Sequence, residues 1–125
     1  MRLGTLVRRG VFTIGADATL VEAASEMRRE DVGSLVVFDE GRLSGIITER
    51  DLVRAVAEGA NPTTLPVAGY MTDDPIVASP DDGVEEVVAR MLTIGVRHLP
   101  VVENGRVLGV VSVRDLLEAS AVRGG

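Results

Sequence analysis

The chain has 125 residues, with 13 basic residues against 19 acidic ones and a formal net charge of −6, which disfavours a general nucleic-acid surface because that needs a basic stripe to displace counterions. With no cysteine and a single histidine, His98, there is no disulfide frame, no thiol nucleophile and no histidine- or thiolate-based metal cluster. A hydrophobic fraction of 46% whose only aromatics are Phe12, Phe38 and Tyr70 calls for one aliphatic core and argues against disorder.

Residues 1–10 hold Arg2, Arg8 and Arg9 around few apolar residues, too few for a signal-peptide core. No apolar run approaches bilayer-spanning length, so a cytoplasmic protein without membrane contact is expected. Thr19 followed by Glu22 is a capping box that starts a helix. Leu20, Ala23, Ala24 and Met27 recur at the spacing of one buried helical face. The β-branched run 35–38 reads as a strand, 39–42 as a tight turn, and 43–47 as the return strand, with Gly45 marking a close approach to the backbone. A closing helix begins at Thr48, with Leu52, Val53 and Val56 as its apolar side. The region 57–66, with Gly59, Asn61, Pro62 and Pro66, reads as a linker.

The second half follows the same course. Val84, Val87, Val88 and Met91 form a helical face, 99–102 a strand, 103–106 a turn whose Asn-Gly supplies positive φ angles, and 107–111 a return strand carrying Gly109. A second closing helix begins at Ser112, with Leu116 and Leu117. Shifting the sequence by 64 positions aligns residues 11–53 with 75–117 without a gap, giving 12 identities in 43 pairs where composition alone would give roughly four. Residues 3–7 lie the same distance before 67–71, so the lead-in segments are duplicated as well. One such unit leaves an apolar face exposed; two copies packed face to face can bury it. The reading is an α/β (α+β) chain of two β-α-β-β-α repeats, 1–58 and 67–125, joined by a linker at 59–66.

Two segments carry candidate chemistry: Gly45-Ile46-Ile47-Thr48-Glu49-Arg50-Asp51 and Gly109-Val110-Val111-Ser112-Val113-Arg114-Asp115. Each ends a strand on a hydroxyl at a helix N-cap with a carboxylate three residues on. Unpaired helix N–H groups suit a phosphate, and the Asp suits a pair of ribose hydroxyls, with Arg50 or Arg114 adding charge. The same residues also make an ordinary capping arrangement. Asp73-Asp74 and Asp81-Asp82 are explained by turns and N-capping, and Met27 and Met91 by the core. Nothing activates a nucleophile or pairs an acid with a base, so an enzyme is not expected.

The duplicated unit, the Gly95–Val102 run Gly-Val-Arg-His-Leu-Pro-Val-Val and the two GxxTxxD-like segments resemble a tandem pair of CBS domains, the Bateman module, as found in stand-alone bacterial CBS-pair proteins. That resemblance implies pseudo-two-fold packing and a regulatory module that binds AMP, ADP or ATP, or else S-adenosylmethionine or NAD, with no required cofactor. It implies one cleft of Thr48 and Asp51 with Val77, Ala78, Arg97 and His98, and another of Ser112 and Asp115 with Thr13, Ile14, Gly33 and Ser34. Because Gly33-Ser34 stands where Arg97-His98 does, the Asp51 cleft is expected to be the better one for a charged nucleotide. A homodimer docked through the closing helices is also implied. The other reading of the same fold is a constitutive dimerisation or protein-interaction platform with non-functional clefts.

Overall fold

The computed structural model describes residues 1–7 and 11–124, with side chains through Ser120; Arg8 and Arg9 lie outside the described residues. The elements run β1 (Thr13–Gly15), α1 (Leu20–Glu30), β2 (Ser34–Asp39), β3 (Arg42–Thr48), α2 (Glu49–Ala57), β4 (Thr72–Asp73), α3 (Val84–Ile94), β5 (His98–Glu103), β6 (Arg106–Ser112) and α4 (Val113–Gly124). Short 3-10 turns at Leu3–Thr5 and Val67–Gly69 occupy the duplicated lead-in positions. The class is α+β, with four helices and two sheets, one ordered β1-β2-β3-β4 and one β5-β6.

The chain forms two compact units, Phe12–Pro75 and the pair Met1–Val11 with Ile76–Gly125. These units cut across the linear repeats, because each lead-in segment packs with the other repeat. Leu3, fully buried, belongs to the core of Val84, Val87, Met91, Leu99 and Leu116. Its N–H donates to the Asp82 carbonyl at 2.8 Å, and the Val84 N–H donates to the Met1 carbonyl at 3.0 Å. Its counterpart Val67 is buried with Leu20, Ala23, Met27, Leu35, Val37 and Ile47. Each repeat therefore has its core completed by an apolar residue from the lead-in of the other.

In the unit Phe12–Pro75, α1 begins on the expected capping box: the Glu22 N–H donates to Thr19 Oγ1 at 3.2 Å, and the Thr19 N–H donates to Glu22 Oε1 at 3.1 Å. The linker finishes the job. The Leu20 N–H donates to the Leu65 carbonyl and the Val21 N–H to the Pro62 carbonyl, so all four orphan donors of the first turn are satisfied. The buried face is Leu20, Ala23 and Met27, whereas Ala24 is exposed. Ala24 was read as part of the face because i+4 spacing fits a broad stripe, but a helix covering one side of a small sheet buries a narrower one.

Both hairpins close with two-residue turns between Asp39 and Arg42 and between Glu103 and Arg106. Their central residues all have positive φ, 51° at Glu40 and Asn104 and 77° at Gly41 and Gly105. This is the handedness that matches strand twist. Gly45 fulfils its expectation: a Cβ there would lie 2.5 Å from the Thr72 carbonyl oxygen and 2.8 Å from Met71 Sδ. The absence of a side chain is what lets β4 pair with β3 at Gly45 and Ile46. In the other unit Ala78 forms a one-residue parallel bridge to Val101, the counterpart of β1 on β2. Asp82 does not cap α3 as expected. Gly83 is the cap residue, and Asp82 instead accepts the Ser79 N–H at 2.9 Å.

Candidate functional site

In the unit Phe12–Pro75 the antiparallel register pairs Ser34 with Thr48, so the start of β2 and the end of β3 lie side by side where α2 begins. The Glu49 N–H donates to the Gly33 carbonyl at 3.0 Å. Thr48 is the N-cap, and its N–H donates to Asp51 Oδ2 at 2.8 Å while its hydroxyl lies 3.2 Å from the same oxygen. The Asp51 N–H returns to Thr48 Oγ1 at 3.4 Å. Asp51 is only 8% exposed. Its Oδ2 is committed to the cap, and its Oδ1 faces the Arg54 guanidinium at 3.7 Å. A carboxylate has about four lone-pair sites, so Oδ1 retains acceptor capacity for a hydroxyl. Thr13 and Ile14 sit on β1, paired with Val36 and Val37.

The unit containing Ile76–Gly125 repeats the arrangement with less organisation. His98 pairs with Ser112, the Val113 N–H donates to the Arg97 carbonyl at 2.8 Å, and the Asp115 N–H donates to Ser112 Oγ at 3.0 Å. Asp115 is exposed, and among the described residues its carboxylate has no partner. Arg97 is exposed, His98 is half-buried, and Arg114 pairs with Glu118 at 3.4 Å. Val77 accepts Arg90 Nη2 on its carbonyl at 3.2 Å. Ala78 is buried, with its N–H given to Pro100 and its carbonyl to Val102.

The helix starts differ in what they leave open. Where α1 has every first-turn donor satisfied, α2, α3 and α4 each leave the N–H at the second helical position, Arg50, Glu85 and Arg114, without a partner among the described residues, and of these only α2 and α4 carry a hydroxyl cap with an aspartate three residues on. Such a donor at the positive end of a helix dipole suits an anionic group. A groove of about 520 Å³ between β1 and α1 includes Thr13 and Ile14 with Val21, Glu22, Ser25, Glu26 and Arg29. Its charges are engaged, since Glu22 caps α1 and Glu26 pairs with Arg29.

The sequence grouped Thr48 and Asp51 with Val77, Ala78, Arg97 and His98, which belong to the other compact unit. Within its own unit, Asp51 has Thr48 and Arg54 as its partners, while Gly33 and Ser34 adjoin the same helix start. The sequence reading passed over Arg54, Glu58 and Tyr70. Arg54 Nη2 donates to the Tyr70 carbonyl at 3.0 Å and lies over the Tyr70 ring at 5.5 Å from its centroid. The Tyr70 hydroxyl donates to Glu58 Oε1 at 3.3 Å. Helical spacing makes Asp51–Arg54 and Arg54–Glu58 visible as pairs, but the link to Tyr70 spans a loop that no periodicity reveals. Reduced hydration and then the Glu58 carboxylate push the Tyr70 phenol above its ordinary pKa, and Arg54 pulls it down. Among the described residues no cluster could hold a metal ion, and no helix is long and apolar enough to cross a membrane.

Comparison with known proteins gives this geometry its context. An uncharacterized 17.7 kDa protein of Acidianus ambivalens is 42% identical over 111 residues, 87% of this chain and 66% of that protein. Another relative, from Methanopyrus kandleri, has 61% of its length covered, so this chain spans somewhat less than two thirds of these relatives. A CBS domain protein of Pyrobaculum aerophilum, PAE2072, solved in complex with AMP, superposes with a TM-score of 0.85 at 30% identity, covering 97% of this chain and 99% of that one. The CBS domain pair of protein MJ0100, solved with 5′-methylthioadenosine and S-adenosyl-L-methionine, superposes with a TM-score of 0.89 at 26% identity, covering 98% of each chain. CBS-domain proteins are generally regulatory modules rather than enzymes. The CBS domain model matches residues 3–58 and again 67–122, and the chain therefore belongs to the CBS-domain family as a tandem pair.

Proposed function

We propose that this chain is a regulatory module that binds an adenosine-containing ligand where a strand ends on a hydroxyl and a helix begins. The observation that carries this reading is the twofold occurrence of one arrangement, Thr48 with Asp51 and Ser112 with Asp115, each beside an open helix N–H. Asp51 and Asp115 would accept the ribose hydroxyls, while the Arg50 and Arg114 N–H groups would face the phosphate. The AMP complex of PAE2072 and the nucleoside complexes of MJ0100 favour this ligand class. Asp51 is the stronger of the two, because its carboxylate is buried and held before ligand arrives, whereas the exposed Asp115 must be ordered on binding.

Thermal unfolding with AMP, ADP and ATP tests this. Ligand at 100 times its Kd adds about 2.7 kcal/mol, a rise of several degrees in Tm. Asp51→Ala should diminish that rise more than Asp115→Ala. A cap-only role predicts instead that Asp51→Ala lowers the Tm of the ligand-free protein, by about 0.5–2 kcal/mol, and leaves the ligand increment intact. No shift at millimolar nucleotide would reject the sensor reading.

One observation favours the second reading, a dimerisation platform: Val53 and Val56 on α2 are each 68% exposed, and Leu117 on α4 is 47% exposed. The closing helices thus carry apolar side chains that their own units do not cover. We propose that they seat a second copy of the chain, with sedimentation as the measurement; a monomer at tens of micromolar refutes it.

A further inference from the structure

The Asp51 carboxylate is tied to a neighbour that its counterpart lacks. Arg54 lies one turn beyond Asp51 on α2 and divides its guanidinium between three groups: Asp51 Oδ1 at 3.7 Å, the Tyr70 carbonyl at 3.0 Å, and the Tyr70 ring. Tyr70 in turn reaches back to Glu58 at the end of the same helix. Tyr70 closes the 3-10 turn Val67–Gly69, which holds Val67 in the core, and the chain continues through β4 to Pro75, where this compact unit ends. In the other compact unit the positions 64 residues away carry Glu118 in place of Arg54 and Leu6 in place of Tyr70. A carboxylate there cannot pair with Asp115, and Glu118 pairs with Arg114 instead.

We propose that Arg54 is the positioning residue for Asp51, and that it couples ligand at that carboxylate to the segment Val67–Asp73 through Tyr70. The proposal rests on the reading of Asp51 as a ribose contact. Oδ1 is the oxygen left over from the cap, so a ribose hydroxyl that bonds it shares it with the guanidinium. Arg54 then redistributes between Asp51 and Tyr70, and the charge over the ring changes. Both polar contacts are made by the one nitrogen Nη2, so a point charge suffices for them; what the planar guanidinium adds is its place over the Tyr70 ring. Only one of the two compact units is wired in this way, which makes the two sites inequivalent in what they report as well as in how firmly they bind.

The chain has one tyrosine and no tryptophan, so a single tyrosine reports on this contact. With tyrosine ring-labelled protein, titration with AMP should move the one Tyr cross-peak saturably in step with the calorimetric binding curve. Arg54→Met should weaken AMP about two- to fivefold, the range for a partly exposed ion pair, and abolish the movement of the Tyr70 peak. Arg54→Lys should restore the affinity to within about twofold without restoring the peak movement, separating the charge from the planar group over the ring. In the absence of nucleotide, Arg54→Met should raise the phenol pKa further, read by absorbance at high pH, because the cation that lowers it is gone. If AMP binds and the Tyr70 peak stays still, or moves equally in Arg54→Met, the coupling is wrong. If AMP gives no heat with the unaltered protein, the ribose reading of Asp51 falls and the coupling with it, whatever the phenol titration returns. An unchanged phenol pKa in Arg54→Met overturns the Arg54–Tyr70 contact itself.

Discussion

Substituting Gly45 by Ala isolates a single steric fact. The backbone there has no positive φ, so alanine adopts it without torsional strain, and the unfolded chain loses freedom, which by itself would stabilise the protein by about 0.4–1 kcal/mol. Against this stands the new methyl group, which would sit 2.5 Å from the Thr72 carbonyl oxygen and 2.8 Å from Met71 Sδ. The thioether is the flexible part of a side chain and can swing aside. The carbonyl is backbone in β4, which pairs with β3 at this residue, so relief means moving the strand and weakening its pairing. Overpacking of this kind costs about 1–3 kcal/mol. The net is a loss of about 1–2 kcal/mol, or a fall in Tm of roughly 3–10 °C for a chain of this size. Gly69→Ala is the control, since a Cβ there meets nothing within 4 Å and φ is again not positive; it should be neutral or slightly stabilising. Calorimetric unfolding of both variants decides the matter. A Gly45→Ala protein as stable as the unaltered one would refute the argument that the missing side chain makes room for β4.

Glu40 holds φ at 51° in a turn where the second repeat has Asn104 at the same angle, so Glu40→Asn should raise stability by about 0.5–1 kcal/mol, read as a higher urea midpoint at constant m. Leu3→Ala removes a fully buried side chain from the core that includes Val84, Met91 and Leu99 and should cost about 2–5 kcal/mol. Its hydrogen exchange should quicken in α3 and β5 before α1 and β2, although residue 3 precedes the first repeat's helix in the chain; the opposite order would contradict the exchanged lead-ins. Val53→Glu combined with Val56→Glu changes two side chains that are 68% exposed, so it should leave the stability of the isolated chain within about 0.5 kcal/mol and convert the proposed dimer to a monomer in sedimentation.

Local chemistry made much of this fold legible in the sequence. Thr19 and Glu22 announce a helix start through a bond pattern of four consecutive residues, and the turn at Asn104-Gly105 announces a hairpin because only a few residue types tolerate that backbone angle. The hairpin turn is legible in both repeats, whereas the capping box is not, since Gly83 stands where Thr19 does. The pairing of Thr48 with Asp51 was legible for the same reason, being a contact three residues long. What the sequence could not decide was which apolar side chains would be covered, since Ala24 and Val53 fit their helical stripes as well as Ala23 and Leu52 do and yet are exposed. Nor could it assign the lead-ins. Leu3 and Val67 are interchangeable by composition, and only the tertiary fold places each in the core of the repeat it does not precede. The same limit hid the Arg54 contact with Tyr70, two residues 16 positions apart, because a helix imposes its spacing on neighbours along the chain while a loop imposes none, and only the folded backbone brings their side chains together.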